Sequence, residues 1–181
     1  RVRDPRRTQA WTTFLRNHLK EIAACDFFTV PTVTFRNLFV FVVLNHDRRL
    51  IRHIAVTSQP GAGWTAMQLI EALRHGPRPR YLVRDRDKLF AGRFAIALKM
   101  MGIEIRRTAP RQPWQNGKCE RVIRTLRREC TDHLIPLSAG QLQAHLREYA
   151  DCMHKRSDFV LFHDELAELN EPFYLEEVVG H

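Results

Sequence analysis

Apolar and polar positions change their period several times along the chain. Trp11, Phe14, Leu15, His18, Leu19 and Ile22 recur at helical spacing behind a basic leader (Arg1, Arg3, Arg6, Arg7), which predicts a short amphipathic helix. Residues 23–30, 38–44 and 51–56 are rich in Val, Ile, Phe and Thr. Turn-like segments, including Asn45-His46-Asp47, separate them, so they read as an antiparallel three-stranded meander. After Gly61 the pattern alternates. A helix over 64–74 carries Met67, Ile70 and Leu73 on one side, and a short strand over 81–84 follows Pro77 and Pro79. Then come a helix over 92–101, a strand over 103–106, a proline-containing loop over 109–117 and a long helix over 119–133. The order β-β-β-α-β-α-β-α predicts an α/β domain with a mixed five-stranded sheet, three antiparallel strands then βαβα, with helices on both faces. A last amphipathic helix over 138–149 has Ser138 as N-cap and Leu142, His145, Leu146 and Tyr149 on one side; past Met153 the periodicity fades.

Length and charge refine this outline. The 181 residues suffice for one core, divided as leader and helix 1–22, core 23–150 and an acidic tail 151–181. Residues 157–181 hold seven acids and no Lys or Arg, so a net charge of +9 for the chain means +16 for residues 1–156. A body this basic suggests a polyanion, since each base set against a phosphate releases counterions. A merely solvated basic surface is the competing reading. The longest apolar run, 38–44, is far shorter than the roughly twenty residues of a membrane span, and no signal peptide stands out, so a cytoplasmic protein without membrane contact is expected. Because the sequence starts at Arg1, it reads as a piece of a longer frame. Cys25, Cys119, Cys130 and Cys152 show no CxxC pairing and read as free thiols; Cys130 and His133 would make half a zinc site with no second half.

Three acids change the picture from a basic domain to a candidate enzyme. Asp26 lies inside an apolar run, Asp85 closes the apolar stretch Tyr81-Leu82-Val83, and Glu120 falls early in a basic helix 35 positions after Asp85. A carboxylate at the inner end of a buried strand is costly unless a cation or hydrogen bonds compensate it. Two strands and a helix supplying such groups would form an all-oxygen site for two hard divalent ions, the arrangement used for in-line chemistry on phosphodiesters.

The ordered contexts carry a resemblance. Ala24-Cys25-Asp26-Phe27-Phe28, Arg84-Asp85-Arg86-Asp87-Lys88-Leu89-Phe90 and Pro113-Trp114-Gln115-Asn116-Gly117-Lys118-Cys119-Glu120-Arg121 resemble the catalytic core of DDE integrases and insertion-sequence transposases, over about residues 11–149. The resemblance implies a ribonuclease H-like fold and DNA strand transfer, with mobile-element ends and target DNA as partners and no small-molecule substrate. It further implies a homo-oligomer and two Mg²⁺ or Mn²⁺ ions. Asp26 would bridge both ions, with Asp85 and Glu120 each completing one. One ion would activate the attacking water or DNA 3′-hydroxyl and the other would stabilise the leaving oxygen.

Each site residue has a rival reading. Asp26 is also explicable as a buried carboxylate satisfied by backbone amides. Asp87, two residues from Asp85, would share its side of an extended segment; the family usually has Gly there, which favours Asp85. Glu129 is on the same helix but over 13 Å beyond Glu120 at about 1.5 Å per residue, so it reads as a solvated charge. Glu104 opens a strand and lacks the context. Lys118, Arg121, Arg124, Arg127 and Arg128 form a basic stripe; Lys118, Arg121, Arg124 and Arg128, with Gln115 and Asn116, are the expected DNA contacts, an exposed arginine face without ligand being the alternative. Trp114, in a loop the resemblance makes substrate-contacting, fits core packing equally well.

The resemblance ends near residue 151. The family commonly continues with an Asn-rich, His-containing stretch and a Pro-rich end, whereas this chain turns acidic, as in a frameshifted or decayed copy. No helix-turn-helix DNA-end domain lies among these residues, so little sequence preference is expected. An inactive mobile-element remnant that folds and binds DNA is therefore the alternative to a strand-transfer enzyme. A ribonuclease H-like nuclease for another nucleic acid is a third.

Overall fold

The computed structural model describes residues 11, 13–46, 50–74, 76–85, 88–90, 92–108 and 116–169, with backbone only for residues 88 and 156–169. A helical turn at 13–17 and a 3₁₀ turn at Leu19–Glu21 lead into a sheet of five strands: β1 (Ile22–Pro31), β2 (Asn37–Asn45), β3 (Ile51–Thr57), β4 (Tyr81–Arg84) and β5 (Glu104–Arg107). Helices α1 (Ala62–Arg74) and α2 (Arg93–Met100) flank β4 in the chain, and α3 (Gly117–Leu126) and α4 (Ala139–Leu169) follow β5. The spatial order is β3-β2-β1-β4-β5, antiparallel across the first three strands and parallel from β1 to β4 to β5. This is the mixed α/β sheet the apolar pattern predicts, and it is the ribonuclease H-like arrangement.

Alternation along the central strands feeds two cores. Ile22, Ala24 and Phe28 of β1, with Val40 and Val42 of β2 and Tyr81 and Val83 of β4, pack beneath α3 and α4. The intervening Ala23 and Cys25, with Phe41, Val43 and Leu82, pack beneath α1 and α2. Helices therefore cover both faces, and β1 is buried on each of them, as its near-continuous apolar sequence requires. A register shift at Val43/Leu44 inserts an extra residue into β3, so Ile51 and Ile54 share a face despite being three apart. The edge strand β3 is capped by Gln143 of α4, whose amide accepts from Val56 N–H at 2.8 Å and donates to the Ile54 carbonyl at 2.9 Å.

Two helices differ from the periodic pattern. The helix expected over 119–133 is α-helical only to Leu126 and then widens into a π turn at Arg127–Thr131. The helix expected over 138–149 starts as predicted: Ser138 Oγ accepts from Gln141 N–H at 3.2 Å, and Gln141 accepts from Leu137 N–H at 2.8 Å. It continues, however, to Leu169, across the expected start of the acidic tail at 151. No Gly or Pro occurs between Gln141 and Leu169 to stop it. Among its described side chains, Ala150 is the last one buried in the core. The basic leader 1–10 and the end of the tail, 170–181, lie outside the described residues. No helix among the described residues is long and apolar enough to cross a membrane.

Candidate active site

Sheet register places two of the three acids. The parallel ladder pairs Ile22 with Tyr81, Ala23 with Leu82 and Ala24 with Val83. Continued by two residues, it sets Asp26 beside Asp85, on neighbouring strands about 4.8 Å apart. Asp26, two residues after Ala24 in β1, takes Ala24's face, the one covered by α3; Asp85 is the first residue after β4 and would share that face with the alternation carried one step past the strand. Asp26 lies opposite Val42 of β2 and accepts Phe27 N–H on Oδ1 at 2.8 Å.

Helix α3 brings the third acid. Cys119, Val122, Ile123 and Leu126 form its buried stripe, and Glu120 stands half-buried at the edge of that stripe in the first turn. Asn116, the N-cap residue, makes no capping bond with its own helix. Its side-chain amide instead reaches β1, 3.5 Å from both the Cys25 carbonyl and Asp26 Oδ2. It is 4% exposed, and its Oδ1 is buried without a hydrogen-bond partner. Burial pushes the pKa of the Cys119 thiol well up, and the charges of Asp26, Cys25, Glu120 and Asp85 add to the rise. All three predicted acids thus lie within electrostatic reach of one thiol. Among the described residues, however, no three His, Cys, Asp or Glu side chains stand close enough together to hold a metal ion. Like charges without a cation between them repel, which favours spread side chains.

The rival acids take other places. Glu129 lies in the π turn, paired with Arg128 at 3.0 Å and hydrogen-bonded by Tyr149. Glu104 pairs with Arg106 at 2.8 Å at the start of β5; in parallel strands that is the end of the sheet away from Asp85. Asp87, Trp114 and Gln115 lie outside the described residues.

Of the expected DNA contacts, Arg121, Arg124 and Arg128 are exposed, and their spacing of three and four residues puts them on one side of α3 and its extension. Arg127 instead lies 5.3 Å over the Phe28 ring. Lys118 is half-buried and donates to the His46 carbonyl at 2.7 Å, which ties α3 to the end of β2. Asn116 faces Asp26 rather than solvent.

Arg84 is a residue the apolar pattern does not single out. It ends β4 and is 3% exposed, with its guanidinium 5.3 Å over Phe90 and 5.9 Å over Phe94 on the face opposite the acids. Nη1 donates to the Asp85 carbonyl at 2.9 Å, and Nε is buried without a partner. Burial lowers its pKa, and Arg107 adds to the effect; Cys25 and Asp85 oppose it. The exposed apolar groove of Met67, Ile70, Ile96 and Met100 lies between α1 and α2, on the side of the sheet away from the acids.

The family model of the integrase core domain matches residues 101–152, which include Glu120 and the basic helix. The fold matches the catalytic domain of Mos1 mariner transposase with a TM-score of 0.66 at 13% identity, covering 83% of each chain. This chain is similar in fold to integrase and transposase catalytic domains, and its residues 101–152 match the integrase core family model. The core is similar to the magnesium complex of the HTLV-2 integrase catalytic core domain, with a TM-score of 0.56 at 13% identity over 70% of this chain and 82% of that one. It is also similar to a chain of the simian T-cell lymphotropic virus intasome, with a TM-score of 0.55 at 15% identity over 70% of this chain. The core spans about half, 47%, of that intasome chain. No curated relative matches it.

Proposed function

We propose that this core catalyses divalent-metal-dependent DNA strand transfer by in-line displacement at phosphodiesters, using Asp26, Asp85 and Glu120. The observation that carries the proposal is the β1–β4 register, which when continued sets Asp26 beside Asp85 on the face covered by the helix that bears Glu120. The donor set suits a hard cation: three carboxylates, with Asn116, whose Oδ1 is buried and unpartnered, beside Asp26. Mos1 catalytic domains solved with Mg and with Mn, and the magnesium complex of the HTLV-2 core, support the choice of ion.

In this reading Asp26, Asp85 and Glu120 would hold two Mg²⁺ or Mn²⁺ ions. Bound metal supplies an activated attacking oxygen and charge stabilisation of the leaving oxygen. The chain's own part is orientation. The sheet fixes Asp26 and Asp85, α3 brings Glu120 with the positive end of its dipole toward them, and Asn116 holds the α3 N-terminus against β1. Arg121, Arg124 and Arg128, with Gln115, would grip DNA phosphates beside the acids. Multimeric assembly belongs to the same proposal, supported by the dimeric and trimeric forms of the HTLV-2 core. A light-scattering mass of a single chain at assay concentration would count against it.

Mn²⁺ titration in a calorimeter, beside an Asp26→Asn, Asp85→Asn double variant, tests the site. Binding by the native chain that the variant loses is the expected result. A folded native chain that binds no Mn²⁺ would favour a second reading, a DNA-binding core without catalysis. That reading is supported by the sequence past residue 151, where the chain turns acidic and departs from the pattern it resembles upstream.

A further inference from the structure

The two strand acids are followed or preceded by residues that meet on the far side of the sheet. Phe27, next to Asp26, points into the α1/α2 core, where its ring lies 5.6 Å from that of Phe90. Arg84, next to Asp85, points the same way, with its guanidinium 5.3 Å over the same Phe90 ring. Phe90 is fully buried, and its other neighbours, Phe41 at 6.3 Å and Phe94 at 5.0 Å, fix it from the sheet and from α2. A single ring is therefore held between the immediate neighbours of two carboxylates on the opposite face. Arg84 adds a second tie through its 2.9 Å bond to the Asp85 carbonyl.

A buried guanidinium is costly when its remaining donors go unpaired, as Arg84 Nε does. Sealing the end of the strand would not by itself require it, because Met or Leu would cover the two rings with no charge to desolvate. What an apolar residue lacks is the planar fork that stacks on Phe90 while holding the main chain at Asp85.

Resting on the metal-site reading above, we infer that Arg84 and Phe90 are positioning residues: with Phe27 they form a clamp beneath the sheet that sets the spacing and direction of the Asp26 and Asp85 carboxylates. Arg84 touches neither substrate nor ion. It acts through the peptide of Asp85, as the groups behind metal ligands do when they hold those ligands in their binding geometry.

The sign of the effect separates positioning from simple charge. Removing a positive group near a cation site relieves repulsion and tightens binding; removing a positioning group weakens it. The test is Mn²⁺ affinity by calorimetry for Arg84→Met, Arg84→Lys and Phe90→Leu, with melting temperature measured on each. Leu69→Ala serves as a control in the same core layer, outside the clamp. Affinity is expected to fall by about tenfold or more in all three clamp variants. Lys is expected not to rescue Met, and Leu69→Ala is expected to keep native affinity even where it lowers the melting temperature as much.

Native or tighter Mn²⁺ binding by folded Arg84→Met would overturn the clamp. So would an equal loss in Leu69→Ala, which would mean that destabilisation alone lowers affinity. If Asp26→Asn, Asp85→Asn loses Mn²⁺ binding while the clamp variants keep it, the site stands and the clamp falls. A native chain that binds no Mn²⁺, or a double variant that binds as the native chain does, overturns both.

Discussion

Replacing Asp26 by Asn is expected to lower DNA strand transfer at least about a thousandfold while leaving the domain folded, a loss of about 4 kcal/mol of transition-state stabilisation. Asp26 belongs to the central strand, opposite Val42 and beside Asp85 in the continued register, so in the proposed mechanism it is the acid that would serve both ions. Asn keeps the shape of the side chain and its ability to accept Phe27 N–H. It removes one negative charge from a group of three, which relieves repulsion in the metal-free protein. Stability should therefore change by no more than about 1 kcal/mol. The readout is single-turnover joining of labelled oligonucleotides in Mg²⁺ and in Mn²⁺, with circular dichroism melting as the check on folding. Joining at the native rate by the folded variant would remove Asp26 from the mechanism.

Strand positions were legible in the sequence because both faces of this sheet are buried. Tyr81–Arg84 is the strand the apolar pattern predicts, residue for residue, and the three hairpin strands differ from their predicted ranges by a residue or so at their ends. Period-2 alternation also carries the direction of each side chain, so an acid two residues beyond Ala24 and another two beyond Val83 share a face once the strands are parallel neighbours. The π turn at Arg127–Thr131 was not legible in this way. Cys130 continues the apolar spacing of α3, and side-chain spacing does not report how the backbone hydrogen bonds are shared out.

Contacts between distant elements account for what the sequence hid at the site. Lys118 and Asn116 look like surface groups at the start of a basic helix. The fold spends one on the His46 carbonyl and buries the other against β1, contacts of 72 and 90 residues' separation. Arg84 looks like one more base in a basic chain, and its burial depends on Phe90 and Phe94 arriving from the following turn and helix. Asp26 and Asp85 stand out as candidates because a carboxylate inside or closing an apolar run is conspicuous, and Glu120 does so through its spacing and context. The residues packed behind the two strand acids do not, because an aromatic or arginine at a strand end is ordinary until its neighbours are known.

Charge reversal at Arg121 and Arg124 is expected to weaken DNA binding about tenfold or more, equally for all sequences, and to lower the slope of log K against log salt by about two. Both side chains are exposed on the side of α3 that continues to Arg128, and both follow Glu120 within about one helical turn. A phosphate gripped there would lie beside the acids, so these bases would hold the scissile strand as well as attract it. Net charge alone is a poor explanation in a chain of +9, because any surface base contributes to it. Arg74→Glu, Arg78→Glu makes the same charge change on exposed residues in and just after α1, toward the start of β4 and away from the acids. That pair should lower affinity slightly and leave the slope within about half a unit of native. Equal slopes for the two double variants would mean that DNA is held by the diffuse charge of the body, and the α3 stripe would lose its role in placing the scissile phosphate.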